Sequence, residues 1–339
     1  MIARGVYERT GRKISASSLQ RMVGKLGERC KTAWEMSREL KPQWNGVLLV
    51  DEKMCSIRGA WQWWYVAVDG TGDIVHCLPV EELNVNTATG FLREVKELSS
   101  RLGSRGIVTD LDTAVTKAVE LEYAGKPHQY CLKHALRSLE RLLGYNPLAT
   151  RWGSTQRKLR KEFNRLPDRK GTQAQQAHRE FVHHWESSRG LSERHQKLQA
   201  LREDCRSILF AASEQKAFLR FRDLRQARSY DRRKQVIAIR FFERHWDRLM
   251  IYHRVMGLPR TTNMIENVNK QFERRFKTIE AFQHRRTAIG YMKLLVAYLR
   301  QKPYTDCRGH RRHLNGKSRL QVAKVQHPRD WLHLALKTW

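Results

Sequence analysis

The hydrophobic rhythm of the chain changes several times along its length. Ser15, Ser17 and Ser18 offer N-caps to a stretch in which Leu19, Met22, Val23 and Leu26 recur at helical spacing, so residues 1–40 are expected to hold a polar-surfaced helix. From about residue 46 the period shortens. Val47-Leu48-Leu49-Val50 has the run of a buried strand, 61–68 is aromatic and β-branched and stops at Asp69-Gly70-Thr71-Gly72, and 73–80 reads as a third strand. Residues 87–102 return to helical spacing through Phe91, Val95 and Leu98. A fourth strand is expected at 107–109, a helix at 114–123 and a fifth strand at 128–132. Beyond residue 135 the strand pattern ends, and 155–165, 175–187, 195–211 and 213–228 read as successive polar-surfaced helices. Pro259 marks a break, after which 263–275 and 284–300 are helical again, the second apolar at Ile289, Met292, Leu295, Val296 and Leu299. Residues 301–339 are basic, interrupted by proline and expected to form a loosely packed tail.

The order β-β-β-α-β-α-β predicts an α/β fold in which a meander is followed by right-handed crossovers, with the first and fourth strands side by side in a mixed sheet. Asp51 and Asp110 follow those two strands and would meet at their C-terminal ends, where α/β sheets commonly build their sites. Glu52 and Asp112 stand nearby as alternates, although pleating should turn Glu52 away from Asp51.

Charge then narrows the partners. The 339 residues carry 65 Lys and Arg against 34 Asp and Glu, a formal net charge of +31, with 40% hydrophobic residues to build a core. Such an excess draws polyanions, and nucleic acid is the expected partner because neutralising phosphates supplies sequence-independent affinity. A membrane is not expected: there is no long uncharged apolar run, and the N-terminal MIARGVYERTGRK has no apolar signal core. The six cysteines form no CxxC pair, which speaks against a disulfide framework and suits a reducing, cytoplasmic setting. Cys131 and His134 are spaced as half of a zinc site that has no second half. Cys307, His310 and His313 offer three ligands, but among arginines that would repel a cation.

Cutting and joining nucleic acid requires an activated attacking oxygen and a stabilised leaving oxygen, which divalent ions held by a few carboxylates provide. Acids that gather in a chain this basic are therefore candidates. Asp51 and Asp110 qualify, and a third lies in Arg260-Thr261-Thr262-Asn263-Met264-Ile265-Glu266-Asn267-Val268-Asn269. There Asn263, Glu266 and Asn269 share one helix face, while Ile265, Val268 and Phe272 turn toward a core. Lys270, Arg274, Arg275 and Lys277 follow, placed to meet phosphates. Near the N-terminus, Gln20 and Arg21 would face DNA if the first helix were the recognition helix of a partial helix-turn-helix; an ordinary amphipathic helix fits the same pattern.

The N-x-x-E-x-x-N helix preceded by Arg-Thr-Thr, together with a Cys-x-x-His soon after the second aspartate, resembles Mutator-type transposases and their bacterial insertion-sequence relatives from about Val47 to Arg300. The segment DEKMCSIRGAWQWWYVAVD is also similar to compact insertion-sequence transposases. The resemblance implies an RNase H-like mixed sheet with a large all-helical insertion and a helical N-terminal remnant. Its parts would be a DNA-binding region at 1–40, the first part of the catalytic domain at 46–134, an insertion at 135–258, the glutamate helix at 259–300 and a basic tail at 301–339. It further implies Asp51, Asp110 and Glu266 as catalytic and metal-binding acids for Mg²⁺, or Mn²⁺, with Cys131, His134, Asn263 and Asn269 in support. The implied partners are terminal-repeat and target DNA, bound by a homodimer or larger assembly in a prokaryotic cell, associated with the nucleoid. Where many such enzymes carry Lys or Arg seven residues after the glutamate, this chain has Glu273, and Lys270 or Arg274 is expected to substitute. A catalytically silent DNA-binding derivative and a nuclease without strand transfer are the alternatives.

Overall fold

Five strands form one mixed sheet in the order β3-β2-β1-β4-β5: β1 (Val47–Ile57), β2 (Ala60–Asp69), β3 (Ile74–Val80), β4 (Gly106–Thr109) and β5 (His128–Tyr130). The computed structural model describes residues 15–166, 171–279, 282–326 and 331–336. The chain divides into two units, Met1–Cys131 with Val255–Trp339, and Leu132–Arg254.

In the first unit β1–β3 are an antiparallel meander, and β1 pairs in parallel with β4, β4 with β5. β1 is much longer than its apolar run. It continues through Asp51 to Ile57 and turns at Arg58-Gly59, both with positive φ, as a two-residue hairpin requires. Asp51 therefore lies within a strand and not after one. What ends beside it is β4: the parallel register stops at Leu49 opposite Val108, and two residues on it sets Asp51 level with Asp110.

Helices α3 (Val85–Leu98) and α4 (Thr113–Glu122) cover one face of the sheet, where Leu48, Val50, Tyr65, Ala67, Phe91, Leu92, Val95, Val115 and Val119 form the core. Of the aromatic strand, Trp64 and Tyr65 are buried and Trp61 is exposed near the hairpin turn. α10 (Asn263–Ile279) and α11 (Arg285–Gln301) belong to the same unit, and Ile265, Val268 and Phe272 of α10 are buried as their spacing predicts. Arg300 of α11 and Asp73 before β3 form a fully buried bidentate ion pair, with Nε–Oδ1 2.9 Å and Nη2–Oδ2 2.7 Å. Asp73 also accepts from Trp44 Nε1 at 3.1 Å, so its oxygens are satisfied in a place where an unpaired charge would be costly.

The N-terminal helices α1 (Ala16–Arg29) and α2 (Ala33–Leu40) pack within this unit, α1 against α11 at a backbone-to-backbone approach of Gly27 to Gly290. The described part of the C-terminal stretch is packed, contrary to the expectation of a loose tail. Leu320 and Ala323 are fully buried, in and beside the short helix α12 (Arg319–Val322), and Ala323 O accepts from Gln43 N at 2.8 Å. The last short helix, α13, spans Trp331–Ala335.

The second unit is helical: α5 (Leu132–Leu143), α6 (Tyr145–Arg165), α7 (Gly171–Leu209), α8 (Glu214–Gln226) and α9 (Arg232–Met250). Leu132, expected to end a strand, opens α5. The stretches 175–187 and 195–211 are largely one helix, α7. Its interior Gly190 has open space beside it, and a glycine costs a helix only about 1 kcal/mol relative to alanine. Buried Leu198, Leu201, Cys205, Ile208 and Leu209 anchor the C-terminal half.

Candidate metal centre

The register of β1 and β4 brings acids together at the C-terminal edge of their pairing. Asp51, Glu52 and Asp110 offer ligand atoms that all lie within 4.8 Å of one another, one of two groupings able to hold a metal ion among the described residues. Glu52 belongs to this group although alternation alone would send it to the opposite side of the strand; its longer side chain brings its carboxylate back. The expectation that pleating separates it from Asp51 is therefore corrected. Burial, then the nearby carboxylates of Asp110, Asp51 and Asp112, hold the Glu52 carboxyl well above the usual range. Its Oε1 is buried without a hydrogen-bond partner.

The surrounding structure aims these acids. Asp51 Oδ1 accepts from Glu52 N at 3.1 Å and Oδ2 from Asn269 Nδ2 at 2.8 Å. Asp110 Oδ1 accepts from Asp112 N at 2.9 Å. Asp112 is the N-cap of α4, its Oδ1 accepting from Ala114 N at 2.8 Å and Val115 N at 2.9 Å. Its carboxylate is thus committed to the turn that presents Asp110, as Asp at such a position usually is.

α10 reaches the cluster through Asn269, which is 7% exposed. Glu266 stands one turn earlier and is not a member of the Asp51–Glu52–Asp110 group. Its carboxylate is within 4.8 Å of Cys131 Sγ in the second grouping. Thr262, fully buried just before α10, joins the two: its hydroxyl is 3.2 Å from Cys131 Sγ and 3.4 Å from Glu266 Oε1, and its N–H donates to Cys131 Sγ at 3.4 Å. Cys131 extends the edge of β5, donating from its backbone N to Thr109 O at 2.7 Å. His134 lies in the first turn of α5. Asn263 is exposed at the start of α10, and Lys270, Arg274 and Arg275 are exposed along it. Glu273 forms an ion pair with Lys53 of β1, which depresses its carboxyl. A basic group thus stands at the turn seven residues after Glu266, but the strand contributes it.

Arg21 is exposed on α1, with Nη2 3.4 Å from Ser18 Oγ, and the side chain of Gln20 lies outside the described residues. So does that of His310. Cys307 and His313 are in neither metal grouping among the described residues. None of the described helices is long and apolar enough to cross a membrane. The residues that sequence reasoning underused are Glu52 and Thr262. The Asp51-Glu52 pair was a visible signal for the first; Thr262 had only its place in the Arg-Thr-Thr turn.

No protein-family model matches the chain, and a search of curated proteins found no match.

Proposed function

We propose that the chain is a DDE-type DNA transposase with an RNase H-like catalytic domain, which cuts DNA at the ends of its element and joins the resulting 3′-hydroxyl to target DNA. The observation that carries this reading is the convergence of Asp51, Glu52 and Asp110 in a protein of formal net charge +31. Crowded carboxylates repel one another, and a divalent cation is the usual answer to such a group. The unpartnered, buried Glu52 Oε1 fits a ligand atom, and an all-oxygen donor set suits Mg²⁺ or Mn²⁺. Asp51, Glu52 and Asp110 would hold the ion, with Glu266 as the acid that α10 adds. Bound there, divalent ions supply an activated water and stabilise the leaving oxygen.

The chain's own residues do the remaining work. Asn269 holds Asp51 in one orientation, the Asp112 turn aims Asp110, and Thr262 can donate to Glu266. Lys270, Arg274 and Arg275 follow on the same helix, where contacts to phosphates position a strand without reading its sequence. DNA held this way lies against the acids in a surface that otherwise attracts it.

The reading is tested with labelled duplexes carrying the sequences that flank the coding region, in Mg²⁺, using wild type, Asp110→Asn and Glu266→Gln. Wild type should cleave at one discrete position, and both variants should bind the duplex without cutting. A wild type that binds and never cuts would leave a DNA-binding protein derived from a transposase and overturn the proposal.

A further inference from the structure

On the side of α10 next to the face that meets Asp51, a cavity of about 590 Å³ opens between α10, α11 and the segment that follows α11. Lys270 and Arg274 of α10 line it, with Lys302, Arg308 and Arg311 of the following segment and Arg319 of α12. Asp306 is the one carboxylate among its described lining residues. Among the described lining residues the cations therefore far outnumber the acids.

The wall is built rather than draped. Tyr304 N donates to Lys317 O at 3.0 Å and Gly316 N to Tyr304 O at 2.9 Å, while the Asn315 side chain ties both backbone groups of Cys307 at 2.9 and 3.1 Å. Arg319 is 5% exposed. Its Nη1 donates to Leu299 O at 2.6 Å and its guanidinium lies over the Tyr304 ring, 5.0 Å from the centroid. Its Nε has no hydrogen-bond partner, and it forms no ion pair among the described residues. A buried guanidinium with no ion-pair partner among the described residues, facing a cavity whose cationic side chains outnumber its one carboxylate, is an unanswered charge, and a planar donor of this kind matches phosphate oxygens.

We propose that this cavity is a phosphate-binding pocket that seats a backbone phosphate of the bound DNA strand. This rests on the reading of the chain as a DNA-processing protein. The geometry adds a division of labour along α10: one face reaches the carboxylates through Asn269 and the adjacent face reaches the pocket through Lys270 and Arg274. An α-helix with its side chains is about 10–12 Å across, so a strand crossing α10 can occupy both at once.

The test measures affinity of the full chain for a labelled duplex by fluorescence anisotropy against salt concentration, in EDTA so that no cutting contributes. Arg308→Ala/Arg311→Ala is compared with wild type and with an equal-charge control, Lys117→Ala/Lys126→Ala, whose residues are exposed away from the pocket. Loss of two phosphate contacts should flatten the slope of log affinity against log salt by about 2, and weaken binding markedly more than the control does. Equal slopes in the pocket and control variants would overturn the proposal. Arg308 and Arg311 are used because they are exposed or half-exposed, so the fold should survive their loss, whereas Arg319 is buried. A parallel titration with inorganic phosphate separates the sources: thermal stabilisation of wild type by phosphate alone, with DNA binding untouched in the pocket variant, would assign the pocket to a free anion and overturn the backbone assignment. A reduced slope in a protein that never cleaves DNA would keep the pocket and remove the transposase reading; cleavage with unchanged slopes would do the reverse.

Discussion

Glu52 shows most clearly how neighbours decide what a side chain can do. Burial and three nearby aspartates raise its carboxyl, so the folded chain holds that proton more tightly than the unfolded chain. The sign follows: Glu52 costs the metal-free fold nothing below the unfolded value of about 4.3, and its penalty grows as pH rises toward the raised folded value. Glu52→Gln should therefore raise the melting temperature of the EDTA-treated protein at pH 8 and leave it nearly unchanged at pH 4. Added Mg²⁺ should stabilise wild type more than the variant. Equal melting temperatures for the two proteins at pH 8 in EDTA would remove the crowding from the account. At this scale the sequence was informative about types and silent about reach. Asp51 and Asp110 stood out because cations outnumber acids almost two to one, and Asn269 because it shares a helix face with Glu266 although Asn is a poor helix former; the structure joins Asp51 to Asn269. Alternation along a strand wrongly separated Glu52 from Asp51, since it predicts the direction of Cβ but not where a flexible carboxylate ends.

Elements carry the next part of the account. The apolar run at Val47–Val50 announced β1, but its polar second half did not, because antiparallel pairing with β2 sustains residues whose own pattern is weak. The Arg58-Gly59 turn was the available sign of that longer hairpin. α10 was readable because its apolar stripe and its polar face each keep helical spacing. The packing of α1 on α11 was not, since nothing in an isolated glycine says which other glycine it will meet. A Cβ on Gly27 would lie 2.6 Å from backbone atoms of Gly290, while one on Gly24 meets nothing within 4 Å. Gly27→Ala should therefore destabilise by about 1–3 kcal/mol through overpacking. Gly24→Ala, on the same helix, should stabilise by up to about 1 kcal/mol. Denaturant unfolding of the two variants decides this, and a stabilising Gly27→Ala would show that the two helices do not meet as described.

On the scale of the molecule, the excess of cations and the small group of acids are complementary features. A net charge of +31 favours polyanions without choosing a sequence, and the Asp51–Glu52–Asp110 group sets a local concentration of negative charge within it. The mixed sheet could be argued from the order of strands, because a meander followed by crossovers leaves few ways to lay strands side by side. The packing of residues 302–326 could not, since Ala323 is held by Gln43 and joins the core that contains Trp44 and Leu48, at the other end of the sequence. The proposed function gives DNA binding and chemistry to different residues, so the two can be separated by experiment. The most direct measurement offers the full chain a pre-cut duplex ending in a 3′-hydroxyl, together with supercoiled plasmid and Mg²⁺, beside Asp110→Asn. The account predicts a covalent joint between duplex and plasmid with wild type, and none with a variant that still binds both DNAs. Joining by the variant at the wild-type rate, or a wild type that nicks plasmid without ever joining it, would contradict the assignment.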